Sequence, residues 1–211
     1  MTPSPVQPAT TRQARKAQTR ERLLAAARRV FARRGYHRAL LEDVAEEAGF
    51  STGAVYSNFA GKEDLFLTLL EELIEEQTTE LAAAVAGGAT VEARAEEGAR
   101  MFTALLGREP ELFLLFIEFW AQAVREPELR TRFAARYGRI REGLAELLET
   151  GARELGVELP LPPVELAIAI DALADGFALQ KLADPEAIPD DLLGRAIFLL
   201  LRGAGVDVGP A

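Results

Sequence analysis

The stretch "LEDVAEEAGFSTGAVYSNFAGKEDLF", Leu41 to Phe66, decides how the chain is read. Val44, Ala45 and Ala48 fall on one face of a short helix over residues 41–48, and Gly49 ends it. Ser51 stands where an N-cap oxygen is needed for a second short helix, Thr52 to Asn58, with Val55 and Phe59 turned inward. Two short helices joined by a glycine-containing turn of about three residues form a helix-turn-helix unit.

Upstream, Leu23, Leu24, Ala27, Val30 and Phe31 recur at helical spacing from Lys16 to Arg34, and Gly35 follows as a stop. The other face of that helix carries Arg20, Arg22, Arg28, Arg29, Arg33 and Arg34. Residues 1–14, with three prolines and many small polar residues, read as a flexible N-terminal arm. Downstream, Lys62 to Val85 is a long amphipathic helix with Glu63 and Asp64 in its first turn, where carboxylates suit the helix dipole. Beyond Gly88 the spacing predicts helices over 91–106, 111–124, 128–155, 164–183 and 190–203, most entered through proline. Sustained period-two alternation is missing, so the expectation is an all-α protein of about nine helices. An N-terminal three-helix domain over 15–61 precedes a helical domain over 62–211.

Composition narrows the function. The 211 residues carry a formal net charge of -9, are 49% hydrophobic and contain no cysteine and one histidine, His37. Thiolate and histidine metal sites and Cys/His nucleophilic chemistry are thereby disfavoured, and no metal or cofactor is expected. No run of about 18 uncharged apolar residues exists, and the N-terminus lacks the apolar core of a secretory signal, which reads as a cytoplasmic protein. Charge is unevenly distributed: residues 1–62 hold 11 Lys and Arg against 5 Asp and Glu, net +6, whereas residues 63–211 are net -15. A basic end on an acidic body confines attraction for phosphate to one surface.

With the apolar set of the helix-turn-helix facing its core, the outward face of the third helix is Thr52, Gly53, Ala54, Tyr56, Ser57 and Asn58. It is small, hydroxylated or amide-bearing and free of carboxylates, as a surface entering a DNA major groove must be. Tyr56 suits a phosphate contact, and Thr52 or Ala54 a base or thymine-methyl contact. Ser51 opens the helix, Lys62 can hold a phosphate beside unpaired backbone N–H groups, and Arg38 with the arginines of the first helix are backbone-positioning candidates.

"TRERLLAAARRVFARRGYHRALLEDVAEEAGFSTGAVYSNFAGKEDLF", Thr19 to Phe66, resembles the N-terminal domain of the TetR (tetracycline-repressor-like) family of bacterial transcription regulators. The resemblance rests on the Phe31, Gly35, Tyr36 spacing, on "DVAEEAG" and on "VYSNFAGKEDLF". It departs from the family at Ala39-Leu40, where Thr or Ser usually precedes the second helix, and at Thr52 and Ala54, where Lys and Thr are often found. The resemblance implies a homodimer that binds a double-stranded DNA operator, with a ligand pocket and dimer interface in the C-terminal region, most commonly acting as a repressor.

Candidate pocket residues are Phe102, Phe113, Phe116, Phe119, Trp120, Tyr137, Asp175 and Phe177, with Met101 and Phe133 beside them. Polar residues embedded in the same helices, Glu118, Gln122, Asp171 and Gln180, are further candidates for fixing a ligand's polar end. A core packed with these rings and no cavity is the competing expectation. The last two helices, about 164–183 and 190–203, are apolar on more than one stripe, as helices that meet a symmetry mate must be. Two rival functions stay open at this point: a helical enzyme acting on an apolar substrate, and a helical module that binds protein. Against the enzyme stands the want of a clustered nucleophile and base. The effector is expected to be small and hydrophobic.

Overall fold

A computed structural model describes residues 11–203, and among these residues the chain forms nine α-helices and no strand. They are α1 (Thr11–Arg38), α2 (Leu41–Ala48), α3 (Thr52–Tyr56), α4 (Lys62–Val85), α5 (Val91–Arg108), α6 (Pro110–Ala123), α7 (Pro127–Leu155), α8 (Pro163–Ala183) and α9 (Leu192–Gly203). The chain divides into two compact units, residues 1–70 and 71–211, and the division falls within α4.

In the first unit, one face of α1 supplies Leu23, Leu24, Ala27, Val30 and Phe31, all at most 2% exposed, as the 3.6-residue spacing predicts. Val44, Ala45 and Ala48 of α2, Val55 of α3, Phe59, and Leu65 and Phe66 of α4 are buried with them. Phe31, Tyr36 and Phe66 pack ring on ring, the two edge-to-face contacts having centroids 5.2 to 5.6 Å apart. The α2–α3 turn is fixed by Gly49, whose φ of 70° and ψ of 35° lie in the left-handed region. There the Phe50 N–H reaches the Ala45 carbonyl at 2.9 Å and the Gly49 N–H the Glu46 carbonyl at 3.0 Å, closing α2.

Two expectations need correction here. Helix α1 begins at Thr11, so residues 11–14, placed in a flexible arm, are helical, while residues 1–10 lie outside the described residues. The missing information was local: "TRQARKAQ" has no apolar stripe, but it is free of proline and glycine and rich in good helix formers. Gly35, as expected, stops the first run of helix: its backbone (φ 71°, ψ 170°) is non-helical and kinks the chain before Tyr36 to Arg38. Ser51 occupies the N-cap position of α3, yet its side chain makes no capping hydrogen bond; only its carbonyl accepts, from the Ala54 N–H at 2.9 Å.

The second unit begins at Glu71. Thr90 caps α5 by accepting the Ala93 N–H at 3.1 Å, and Pro110, Pro127 and Pro163 take the first helical positions of α6, α7 and α8. Its main core joins α5, α8 and α9 through Ala95, Ala99, Leu166, Ile170, Phe177, Leu193, Ile197 and Leu201.

Candidate nucleic-acid interface and effector site

The outward face of α3 is as the spacing predicts. Tyr56 is 59% exposed, Gly53 and Ser57 are exposed, Thr52 and Ala54 are half-buried, and Val55 is fully buried. Asn58 differs: its Nδ2 donates to the Ala54 carbonyl at 2.8 Å and its Oδ1 is buried without a partner. The amide therefore closes α3 where it was expected to face outward, because the chain turns at Asn58 and an amide there can replace the next helical N–H. Ser57 Oγ likewise donates to the Ala54 carbonyl at 2.9 Å and accepts from Asn58 Nδ2 at 3.2 Å.

The arginine face of α1 serves the helix-turn-helix itself more than the surroundings. Arg20 donates to the Asn58 carbonyl at 2.9 Å and to Thr68 Oγ1 at 3.4 Å, and stands 4.4 Å over the Phe59 ring. Arg22 donates to the Ala48 carbonyl at 2.9 Å and covers Phe50. Arg29 and Arg33 grip Glu47 at 2.7 and 2.5 Å, and Arg34 pairs with Asp43 at 2.9 Å. The two hydrogen bonds from Arg29 and Arg33 hold the Glu47 carboxyl below its ordinary range. These arginines clamp α1 to α2 and to the ends of α3. A helix-turn-helix of so few residues has little apolar area, and the clamps hold it in register.

Of the residues predicted to flank the groove, Arg38 is exposed and donates from Nε to the Arg34 carbonyl at 3.2 Å. Lys62 Nζ donates to the His37 carbonyl at 3.1 Å and lies 4.6 Å from the Tyr36 ring centroid. At the departure at Ala39-Leu40, the Leu40 N–H donates to Asp43 Oδ2 at 3.0 Å, while no side chain at the N-cap accepts from the first-turn N–H groups of α2.

In the second unit, the rings of α6 and α7 meet. Phe116 stacks on Tyr137 at 5.6 Å, Trp120 lies 5.3 Å from Tyr137, and Phe133 stacks on Tyr137 at 5.5 Å. Phe113 touches Phe116, and Phe119, wholly buried, touches Phe133. Tyr137 Oη reaches from this cluster to two carboxylates of α8, Asp171 at 2.5 Å and Asp175 at 3.2 Å. Burial first, then the neighbouring Asp171 charge, pushes the Asp175 carboxyl up to about 6; burial also raises Asp171 and the Tyr137 phenol. Arg141, one helical turn beyond Tyr137, sits 4.8 Å over its ring.

Six of the eight predicted pocket residues thus converge. Phe102 and Phe177 do not: Phe177 belongs to the α5–α8–α9 core and Phe102 packs against that core. Their aromatic character alone had suggested the pocket, and aromatic character does not report which face of a helix a ring occupies. Arg141 escaped notice, although its i, i+4 relation to Tyr137 matches that of Asp171 to Asp175 and was readable.

A basic helix-turn-helix followed by an all-helical domain with a polar centre inside an aromatic cluster defines a one-component transcription regulator, which reads DNA with one end and a small molecule with the other. The comparisons give the family. Residues 23–69 match the model of bacterial regulatory proteins of the tetR family, and residues 91–198 match that of the BetI-type transcriptional repressor C-terminal domain. The chain belongs to the TetR family and is a ligand-responsive, DNA-binding transcriptional repressor.

Among its relatives is the nicotine-responsive transcriptional repressor HdnoR of Paenarthrobacter nicotinovorans, 28% identical over 166 residues, covering 79% of this chain and 84% of that protein. The fold is shared with FadR from Bacillus subtilis in complex with stearoyl-CoA, at a TM-score of 0.68 and 20% identity, covering 87% of this chain and 98% of that one. A transcriptional regulator from Saccharomonospora viridis in complex with choline gives a TM-score of 0.63 at 24% identity, covering 90% and 98%. Among the described residues no helix is long and apolar enough to cross a membrane.

Proposed function

We propose that this repressor is a cytoplasmic homodimer that leaves its operator when a small, largely apolar organic effector binds among α6, α7 and α8. Residues 15–61 hold the DNA-reading helix-turn-helix and residues 62–211 the sensing and dimerising helices, with the first turns of α4 belonging to the first unit. One observation carries the proposal: α4 is a single helix whose first residues belong to the DNA-reading unit and whose remainder belongs to the sensing unit. Midway along it, where the second unit begins, Glu71 is held by Arg136 at 2.6 Å and Arg139 at 2.8 Å, both on α7, the helix that carries Tyr137. Three residues earlier Thr68 accepts from Arg20, and Lys62 begins the helix. A shift of α7 on effector binding is thereby delivered to α4 and to the α3 ends that Arg20 fixes.

Tyr56, Thr52, Gly53 and Ala54 face the groove in this proposal, with Ser51, Ser57, Lys62 and Arg38 on phosphates. The dimer forms through α8 and α9, whose Val164, Ile168, Leu173, Leu179, Leu192 and Leu199 are 38 to 63% exposed. Two copies of α3 then meet major grooves about 34 Å, or a multiple, apart. The relatives' nicotine, stearoyl-CoA and choline are all small organic molecules, which supports an effector site in the helical domain. An effector acts only through the difference in its affinity for the two conformers.

The test is fluorescence anisotropy of the full chain on its own upstream intergenic DNA across a salt series, with scrambled DNA as control. Tight, salt-steep binding to the upstream fragment, abolished by Tyr56→Ala with Lys62→Ala, is expected. A ligand that binds tightly yet leaves operator affinity unchanged would refute the coupling through α4.

A further inference from the structure

Residues 35–61 contain four glycines, and three of them have a reason inside the protein. Gly35 and Gly49 hold positive φ angles of 71° and 70°. Gly61 opens α4: its carbonyl accepts the Leu65 N–H at 3.0 Å, at an N-cap position where glycine is well tolerated. Gly53 has no such reason. Its φ lies outside the left-handed region, and a Cβ there would meet only Ser51 Oγ, at the ordinary contact distance of 3.7 Å.

Its place in α3 makes a glycine costly. The helix is five residues long, too short to sustain itself. Its C-terminal end is tied by Asn58 Nδ2 and Ser57 Oγ, which both donate to the Ala54 carbonyl, and by Arg20 on the Asn58 carbonyl. Its N-terminal end has no side-chain cap, and Gly53 is the second residue from that end. Alanine at 53 would favour the helix and crowd nothing, so the free protein would be more stable with it.

Open space around a helical glycine is not by itself the mark of a partner, since Gly107 near the end of α5 is equally open. What singles out Gly53 is the face it occupies. Gly53, Tyr56 and Ser57, at i, i+3 and i+4, form one exposed line along α3 and its cap, with Thr52 and Ala54 half-buried beside it. A recognition helix brings its first residues closest to the base edges, and a missing side chain there lets the backbone approach further. A methyl group at 53 would hold that backbone back by on the order of 1 Å, more than the roughly 0.5 Å over which a hydrogen bond keeps its strength.

We propose that Gly53 sets operator specificity through its missing side chain: it lets the first turn of α3 seat against base edges, and the free protein is less stable for it. This rests on the reading of α3 as the DNA-contacting helix. The glycine answers to the DNA and not to the fold, so one substitution should move stability and specific binding in opposite directions.

The experiment uses the full chain and a duplex selected by the wild-type protein from a random pool, with a scrambled duplex as control. Gly53→Ala should raise the melting temperature by about 1 to 4 °C. It should weaken binding to the selected duplex about twentyfold, the scale of a lost base-edge contact. Affinity for the scrambled duplex, which phosphate contacts supply, should change by less than about threefold. Gly107→Ala, the matched control outside the DNA-reading unit, should leave both affinities unchanged. The proposal is overturned by a melting temperature that falls in Gly53→Ala, by equal losses on the two duplexes, or by an equal loss in Gly107→Ala. Full affinity of Gly53→Ala beside lost binding in Tyr56→Ala with Lys62→Ala refutes this inference alone. A random pool from which the wild-type chain enriches nothing refutes the DNA-reading assignment of α3 and this inference with it.

Discussion

Arg20 donates from Nη1 to the backbone carbonyl of Asn58 at 2.9 Å, tying the middle of α1 to the residue that follows the recognition helix. The same guanidinium covers Phe59 and reaches Thr68 of α4. An arginine so placed sets the position of α3 and does not sit on a phosphate. Arg20→Ala should therefore weaken operator binding about tenfold, roughly 1.4 kcal/mol. The slope of log affinity against log salt should stay unchanged, because no counterion release is lost.

Arg38 gives the opposite signature. It is exposed, and its Nε donates to the Arg34 carbonyl at 3.2 Å. If it contacts a phosphate, Arg38→Ala lowers the salt slope by about 0.9 while leaving thermal stability within about 0.5 kcal/mol. Anisotropy titrations at several salt concentrations distinguish the two arginines, and an unchanged slope for Arg38→Ala removes it from the interface.

Tyr56 has an exposed ring outside the small core, so its hydroxyl is available for DNA. Tyr56→Phe should leave the denaturation midpoint unchanged and reduce operator affinity by about ten- to 150-fold, the worth of one hydrogen bond to a charged phosphate. Full affinity in the Phe variant would assign Tyr56 a stacking role or none.

How much of this was legible follows from the physics of each part. The α2–turn–α3 unit was read almost to the residue because burial spacing, Gly49 and the turn length act locally, and local signals survive in sequence. The start of α1 was not, since a polar helical extension carries no periodic stripe. The inward turn of Arg20 and Arg22 depends on Asn58, Phe59, Ala48 and Phe50, residues 26 to 39 positions away, and an arginine's spacing alone cannot reveal whether it meets a carbonyl or a phosphate. The acid pair was visible as an i, i+4 couple, but its tie to Tyr137 joins α7 to α8 and required the fold.

Gly49 holds a left-handed conformation that an L side chain enters at a cost of about 1 to 2 kcal/mol. A Cβ there would meet nothing closer than the far end of Arg22, at 3.8 Å, so strain and not crowding dominates. Gly49→Ala should lower stability in urea by about that amount. The folded fraction should still bind operator, since the turn stays closed by the Phe50 to Ala45 bond.

Leu199 is 63% exposed on α9, where the proposed dimer places it in the interface. Leu199→Glu should shift the mass in sedimentation toward the monomer and reduce operator affinity by more than tenfold, because two linked half-sites are lost together. A dimer of unchanged stability would move the interface away from this face of α9.

Asp175 makes stability depend on pH in an unusual direction. Its carboxyl is raised to about 6 in the folded chain, against an ordinary value near 3.8, chiefly by burial and then by Asp171; Tyr137 and Arg141 of α7 act the other way. The folded state therefore keeps a proton that the unfolded state has released, and stability falls as pH rises from about 4 to about 6. Asp171 is raised as well and adds to the same trend. Asp175→Asn removes the ionisation, so it should flatten the profile across that window and stabilise the chain above pH 6 by about 1 to 2 kcal/mol. Chemical denaturation of both proteins at pH 4.5, 6 and 7.5 measures this. Equal stability of the two at pH 7.5 would mean that Asp175 is as well solvated in the folded chain as in the unfolded one, and the strained acid pair beneath Tyr137 would lose its energetic basis.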